Sequence, residues 1–345
     1  MTPPDRIVVL IAGIAGASLG TEIAKSLRLA GGYRILGCDI NPRAYGRFDE
    51  TFDAAFLADP DAYVDSVAAL AADQGAQVLI PGGEAPARLI AAAADRFEAM
   101  GVRVAQNAPG VVALAGDKAA CFERLAALGI PIPETRPVAA VGDVEGFPMP
   151  CVVKPSAASG GSSFVFFART EAEAGLYASY LINNGLAPLL QRYVPEAGGE
   201  YTVGVLSLPD GAVAGAIALR RTFDAKLSIM TRGADFLISS GYSQGRIEAY
   251  PDICAAATRI AEALGSGGPL NVQGRVDPAG VFIPFEVNPR FSASTHLRSL
   301  AGFNEVDFFV RHLMGRKPEG PLKARPGWYL RSLTETVADP EADPA

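Results

Sequence analysis

Apolar positions in the first hundred residues recur with two periods that take turns. Residues 6–12 are a β-branched apolar run, and 13–20 a glycine-rich turn. Residues 21–30 place Ile23, Leu27 and Ala30 at helical spacing. Residues 33–38 form a second strand pattern ending at Asp39. After it come a helix over 61–72, a strand over 77–80, an alanine-rich helix over 84–100 closed by Gly101, and a strand over 102–105. Strands alternating with helices predict a parallel sheet with crossover helices on its faces, and ligands at the carboxyl ends of its strands.

Residues 117–128 read as a helix ended by Gly129, with Pro131 and Pro133 beyond it, which marks the exit from this first domain. From residue 149 the texture changes. Short strand patterns at 149–154, 164–167, 188–192, 200–206 and 212–219 are split by Gly, Pro and Ser, with one helix over 171–182. A helix over 253–264 precedes two long strand patterns, 269–276 and 281–287. The turn Asp277-Pro278-Ala279-Gly280 makes them a hairpin. A helix over 306–314 is capped by Gly315, 328–333 adds a strand, and the acidic tail from Asp339 is expected to be disordered.

The chain has 345 residues, 49% of them hydrophobic and 19% charged, enough for a sizeable core in two or three domains. A net charge of −7 argues against binding a nucleic-acid backbone, which calls for a broad basic surface. The apolar stretch from Ile7 to Leu19 is shorter than the roughly 20 residues that span a bilayer. No positive flank precedes it, so it reads as a buried strand and its turn, and no membrane partner is expected. Cys38, Cys121, Cys151 and Cys254 form no C-x-x-C pair, and His296 and His312 are the two histidines. A zinc site is not expected; the cysteines read as buried thiols of a reducing compartment, which places the protein in the cytoplasm.

The strongest chemical signal is the second hairpin. On its return strand Glu286 and Asn288 share a face, about 7 Å apart along the chain, while Phe285 and Val287 point the other way. Gln273 lies across the hairpin. One carboxylate and two amides offer hard oxygen ligands of the kind magnesium takes in small number, leaving places for phosphate and water. Arg290, on the same face, can neutralise a phosphate oxygen. A second signal is Lys154, delivered by a strand to Ser159-Gly160-Gly161-Ser162-Ser163. Such a loop offers backbone N–H groups and hydroxyls to phosphates and can move as a lid, although it lacks the G-K-[ST] of a Walker loop.

With these motifs in view, residues 117–315 resemble an ATP-grasp domain. The pattern is closest to the halves of the carbamoyl-phosphate synthetase large subunit. It is also similar to single-unit relatives such as the ligase that joins 3-methylornithine to lysine. The resemblance implies an N-terminal pre-ATP-grasp α/β domain (1–112), a small lobe with a linker helix (113–192), a C-terminal α+β lobe (193–335) and a tail (336–345). It implies ATP as substrate, with Mg2+ or Mn2+ held by Gln273, Glu286 and Asn288. Lys118, Lys154 and Arg290 would lie on phosphates, and Glu200 on the ribose. The linking stretch Gln191-Arg192-Tyr193-Val194 would frame the adenine. Arg192 stands where relatives usually carry glutamate, so backbone groups of residues 192–194 would read the base edge. A basic residue in the stretch Arg220-Arg221-Thr222-Phe223-Asp224-Ala225-Lys226, or Arg232 beyond it, is expected to face the reacting carboxylate or γ-phosphate, and a solvated charge cluster is an equal reading for each taken singly. His296 would face an acceptor pocket, and a homodimer is expected by analogy.

Glu84, in Pro81-Gly82-Gly83-Glu84, sits where a substrate ammonium can be held; it is equally well read as an acid favoured by a helix N-terminus. Gly13, Gly16 and Gly20, with Asp39 beyond, imitate a dinucleotide fingerprint but carry the spacing G-x-x-G-x-x-x-G. The expected reaction is amide formation from a small carboxylate and an amine through an acyl phosphate. Bicarbonate or carbamate activation on the same fold, an NAD-dependent oxidoreductase and a non-catalytic nucleotide-binding module are the alternatives.

Overall fold

The computed structural model describes residues 6–16, 19–157, 164–318 and 320–338. The chain opens with β1 (Ile7–Ala12), α1 (Leu19–Ala30), β2 (Tyr33–Asp39), β3 (Ala54–Leu57), α2 (Tyr63–Asp73) and β4 (Val78–Pro81). It continues with α3 (Glu84–Ala92), α4 (Ala94–Ala99), β5 (Arg103–Val104) and α5 (Pro109–Gly116). The five strands pair in parallel in the order β3-β2-β1-β4-β5. β1 is an unbroken apolar run because the sheet is covered on both faces. On one face Leu10, Leu36 and Leu79 pack with Val67, Ile90 and Phe97 of the following helices. On the other, Val9, Ile11, Ile35 and Ile80 pack with Ile23 and Leu27 of α1, and with Phe291, Val306, Phe309 and Val310 from far along the chain.

Two departures from the periodicity occur here. The helix expected over 84–100 breaks at Ala93 (φ −116°, ψ 18°) into α3 and α4, and nothing in the neighbouring residues marks the break. β3 and α5 are too short to show a period.

The linker helix α6 (Lys118–Ala127) starts at Asp117, whose carboxylate accepts from the backbone of Ala119 and Ala120, an N-cap arrangement. It leads into β6 (Thr135–Pro137), β7 (Cys151–Pro155), β8 (Phe166–Ala168), α7 (Glu171–Asn183) and β9 (Pro188–Arg192). These strands form an antiparallel sheet ordered β6-β9-β7-β8, with Ala174, Ala178 and Leu181 of α7 packed on Val153 and Leu190.

The remainder comprises β10 (Glu200–Ser207), β11 (Val213–Arg221), β12 (Ile229–Arg232), β13 (Leu237–Ser239), β14 (Gly245–Ile247) and α8 (Pro251–Ala263). After these come β15 (Pro269–Val276), β16 (Phe282–Asn288), α9 (Thr295–Leu300), α10 (Glu305–Leu313) and β17 (Gly327–Tyr329). Six of the strands form an antiparallel sheet ordered β16-β15-β10-β11-β14-β17, with α8 on one face. β12 and β13 stand apart as a hairpin reaching the smaller sheet. Phe236 stacks on Phe167 at 4.1 Å, and Arg169 pairs with Asp235 at 2.6 Å. The expected order, a parallel α/β layer followed by antiparallel lobes, is the one the chain adopts. After β17 the chain runs back to the first layer, where Arg331 pairs with Glu22 at 2.8 Å.

Candidate active site

The site is organised by the β15–β16 hairpin. Its turn is closed by Asp277, whose carboxylate accepts from the backbone of Ala279 and Val281, and by Gly280 at φ +82°. That closure sets the pairing as far as Gly274 opposite Pro284. A bulge at Phe285 then shifts the register by one, so that Gln273 lies opposite Glu286 and Asn271 opposite Asn288, and Phe285, expected to point away, lines the cleft beside Glu286. Val287 is buried with Cys121 and Leu125, so the side chains before and after it turn the other way. Gln273 Nε2 donates to Glu286 Oε2 at 3.0 Å. Asn288 Oδ1 accepts from Arg290 Nη2 at 3.3 Å.

Two hollows meet at this hairpin. A cleft of about 730 Å³ lies between the lobes. Its walls include Lys118, Lys154, Arg192, Tyr193, Val194 and Glu286. A cavity of about 1620 Å³ opens toward the N-terminal layer, lined by Glu84, Arg88, Lys118, Asn288 and Arg290 among small apolar residues. Lys118, the first residue of α6, borders both. The hairpin feeds Glu286 to the cleft and Asn288 to the cavity, so adjacent same-face positions straddle the boundary.

Lys154 leaves β7 into the cleft. Its ammonium donates to Gln191 Oε1 at 2.8 Å and to the Phe285 carbonyl at 2.9 Å, and it lies over the Phe122 ring. Burial pushes its pKa down to about 7. The Glu286 carboxylate works against that shift, and the neighbouring charge of Lys118 adds to it. An anion entering the cleft would favour the charged form.

Behind the cleft lies a fully buried charge cluster. Glu200 takes Arg221 on one carboxylate oxygen at 3.0 Å and Arg275 on the other at 2.8–2.9 Å. Arg275 also donates to the carbonyls of Val194 and Leu237, both at 2.7 Å, and lies over the rings of Tyr193 and Phe285. It thereby fastens the linking strand, the β12–β13 hairpin and the β15–β16 hairpin to one another. Tyr193 adds to this clamp by accepting from the Leu237 amide at 2.9 Å.

The sequence-predicted residues divide accordingly. Lys118, Lys154, Gln191, Tyr193, Val194, Gln273 and Glu286 come together in the cleft; Glu84, Asn288 and Arg290 meet in the cavity. Glu200 is not brought to the cleft, because its carboxylate is sequestered between the two arginines. Arg220, Lys226 and Arg232 are exposed and border neither hollow. His296 sits against α1 near Glu22, Lys25 and Arg331, away from both hollows. Burial lowers its pKa. Ser159, Gly160, Gly161, Ser162 and Ser163 lie outside the described residues.

Sequence reasoning missed Arg275 and the inward turn of Arg221 onto Glu200, although alternation carried the signal. Arg275 is two residues from Gln273 on the same strand, and Arg221 is the neighbour that must point opposite to exposed Arg220.

The N-terminal glycines have a packing role. A Cβ on Gly20 or on Gly82 would come within 2.0 Å of the Gly13 carbonyl oxygen. Asp39 accepts from the amides of Ile14, Ala15 and Asn41, so its carboxylate holds the turn together. No nucleotide-binding role is required to explain either feature.

A family model described as "ATP-grasp in the biosynthetic pathway with Ter operon" matches residues 188–336. A D-alanine–D-alanine ligase of Gloeobacter violaceus is 31% identical over 218 residues, which cover 59% of this chain and 69% of the relative. The chain belongs to the ATP-grasp family. Among solved structures, an L-amino acid ligase from Bacillus licheniformis superposes with a TM-score of 0.70 at 15% identity, covering 94% of this chain and 78% of its own. The biotin carboxylase–βγ-ATP complex from Campylobacter jejuni gives 0.68 at 15% identity, covering 91% and 72%. At these identities the structures establish the fold. This ATP-grasp protein is a ligase that forms carbon–nitrogen bonds. Among the described residues no helix is long and apolar enough to cross a membrane, and no group of three or more His, Cys, Asp or Glu gathers to hold a metal unaided. Its four cysteines are free thiols, three of them buried.

Proposed function

We propose that this ATP-grasp ligase joins a carboxylate to an amine through an acyl phosphate, and that both substrates are amino acids. The observation that carries the reading is the position of Glu286 and Asn288, on one strand face at the boundary of two hollows. A nucleotide in the cleft and a carboxylate in the cavity would meet there. The ligase names of the Gloeobacter relative and the Bacillus neighbour support amino acids as substrates. So does the motif resemblance to the single-unit ligase joining 3-methylornithine to lysine.

The donor set fits a hard divalent cation. Glu286 and Asn288 supply a carboxylate and an amide oxygen, and the scarcity of other acids leaves coordination places for phosphate and water. Gln273 would join them by turning its amide over, since its Oε1 now faces Arg221 at 3.5 Å. Mg2+ bound there would offset phosphate charge and polarise the γ-phosphoryl group.

The substrate carboxylate attacks the γ-phosphorus and ADP leaves; the amine, once its ammonium has given a proton to solvent, attacks the acyl carbon, phosphate leaves, and the nitrogen sheds its second proton to the departing phosphate or solvent. Lys118 and Lys154 hold the phosphate chain and draw charge toward the leaving oxygen, and Arg290 holds the transferring end. Tyr193, Val194 and the β12–β13 hairpin form the walls for the base, with backbone groups of residues 192–194 reading its edge. Glu84 holds the ammonium of an amino-acid substrate. No side chain forms a covalent bond to substrate. The test is ADP release by the Glu286→Ala variant across a panel of amino acids. Loss of release with an unchanged fold is expected, and release at the wild-type rate would overturn the reading.

A further inference from the structure

The arginine assigned to the transferring phosphate is engaged by a carboxylate of the N-terminal layer. Arg290 Nη2 lies 2.6 Å from Glu84 Oε1, an ion pair joining the β16 end of the large lobe to the first residue of α3 in the N-terminal layer. The same Nη2 also donates to Asn288 Oδ1 at 3.3 Å, and Nη1 donates to the Phe291 carbonyl at 3.1 Å. Arg290 Nε is buried without a partner among the described residues, so the guanidinium keeps a donor for a further acceptor. The Glu84 side chain is 38% exposed and the Arg290 side chain 13%. Glu84 therefore has room to move while Arg290 does not. Both border the cavity, and the neighbouring Asn288 and Lys118 lead from it to the cleft.

Glu84 here occupies the seat of an oxyanion. A carboxylate and a phosphoryl oxygen present the same acceptor to a guanidinium, and both cannot take the same Nη2 donor at full strength. Resting on the ligase reading, we propose that Glu84 is a stand-in anion for the γ-phosphate. Arg290 passes from Glu84 to the incoming triphosphate, and the released carboxylate becomes free to accept a substrate ammonium. Filling the cleft thus prepares the cavity. By linkage, an ammonium on Glu84 loosens its hold on Arg290 and strengthens triphosphate binding. Glu84 is a positioning residue for the first chemical step and a binding residue for the second substrate.

The exchange is tested by calorimetric titration of the full chain with two probes, Mg2+-AMP-PNP and Mg2+-ADP. Removing the competing anion in Glu84→Gln is expected to tighten the triphosphate analogue about 3- to 10-fold, the size of effect seen for partly exposed ion pairs. Affinity for the diphosphate, which lacks the γ-phosphate, should change by less than about 2-fold. In an Arg290→Ala background the Glu84 substitution should change analogue affinity by less than about 2-fold, because the competitor then has nothing to release. Glu84→Ala provides a second variant with the same expected sign. Unchanged or weaker analogue binding in both Glu84 variants overturns the exchange. So does tightening that persists without Arg290, which would mark a general charge effect. If the wild-type chain binds neither nucleotide, the ligase reading fails and takes the exchange with it. A wild-type chain that binds and hydrolyses ATP while the Glu84 variants match it overturns the exchange alone.

Discussion

The cleft and the cavity share Lys118 and one hairpin, yet they are built on opposite principles. Around the cleft, polar groups are tied down in advance. Lys154 is fixed by Gln191 and a carbonyl, and Arg275 fastens three segments through a buried carboxylate. The cavity is lined by Ala85, Ala87, Val112, Ala113 and Ala115 together with Glu84, Arg88, Lys118 and Arg290. A wall whose polar groups are fixed in advance suits one invariant ligand, because preorganised dipoles need no rearrangement when charge develops. A wall of small apolar side chains sets only size, and size can be retuned by single substitutions. Under the proposed function, the constant partner, ATP, would take the cleft and the variable partners the cavity.

The contrast breaks outright if the hairpin is dispensable. Glu286→Ala should lower ADP release by about 10³-fold or more, read by a coupled ADP assay, since it removes the main anionic donor at the reacting end. Next in size is the buried cluster. Glu200→Ala leaves Arg221 and Arg275 without their carboxylate and should cost about 3–5 kcal/mol of stability, seen in denaturant unfolding. A variant with unchanged stability would show that the cleft wall is not prefastened.

A smaller effect sharpens the assignment of the cavity. Ala113→Leu should raise the KM of an amino-acid substrate about 10-fold while the affinity for Mg2+-ADP stays within about 2-fold, because the added bulk enters one hollow only. Equal effects on both would merge the two hollows into one site.

The smallest effect is a proton. The Lys154 pKa is lowered to about 7 by burial, below its unfolded value, so the folded chain binds fewer protons than the unfolded chain above that pH. Stability from this group therefore rises with pH between about 7 and 10.4. Phosphates reverse the preference and favour the ammonium. Nucleotide binding should take up close to one proton at pH 8.5 and much less at pH 6, measured by calorimetry in buffers of different ionisation enthalpy; Lys154→Met should abolish the difference.

Much of this was legible in residue order. The hairpin announced itself because a charge and two amides interrupt an apolar alternation at 273, 286 and 288, and a period of two leaves little freedom in where they point. The Gly280 turn fixed the partner strand, and Asp117 with Gly129 fixed the ends of α6. What was not legible depended on partners remote in the chain. Glu200 reads as a free acid until the fold brings Arg221 and Arg275 onto it. His296 reads as a pocket residue until α9 packs against α1. Arg220 and Arg221 are chemically identical neighbours, and only the direction of the strand decides that the second turns inward. The break at Ala93 left no trace in composition.

The packing of the first layer has a consequence for how the molecule is made. Phe291, Val306, Phe309 and Val310 cover one side of a sheet whose central strand is Ile7–Ala12. During synthesis, the part of that side that α1 leaves open must wait, apolar and exposed, until residues 291–310 have left the ribosome. The early segment is thus a client for chaperones and a risk for aggregation when expressed by itself.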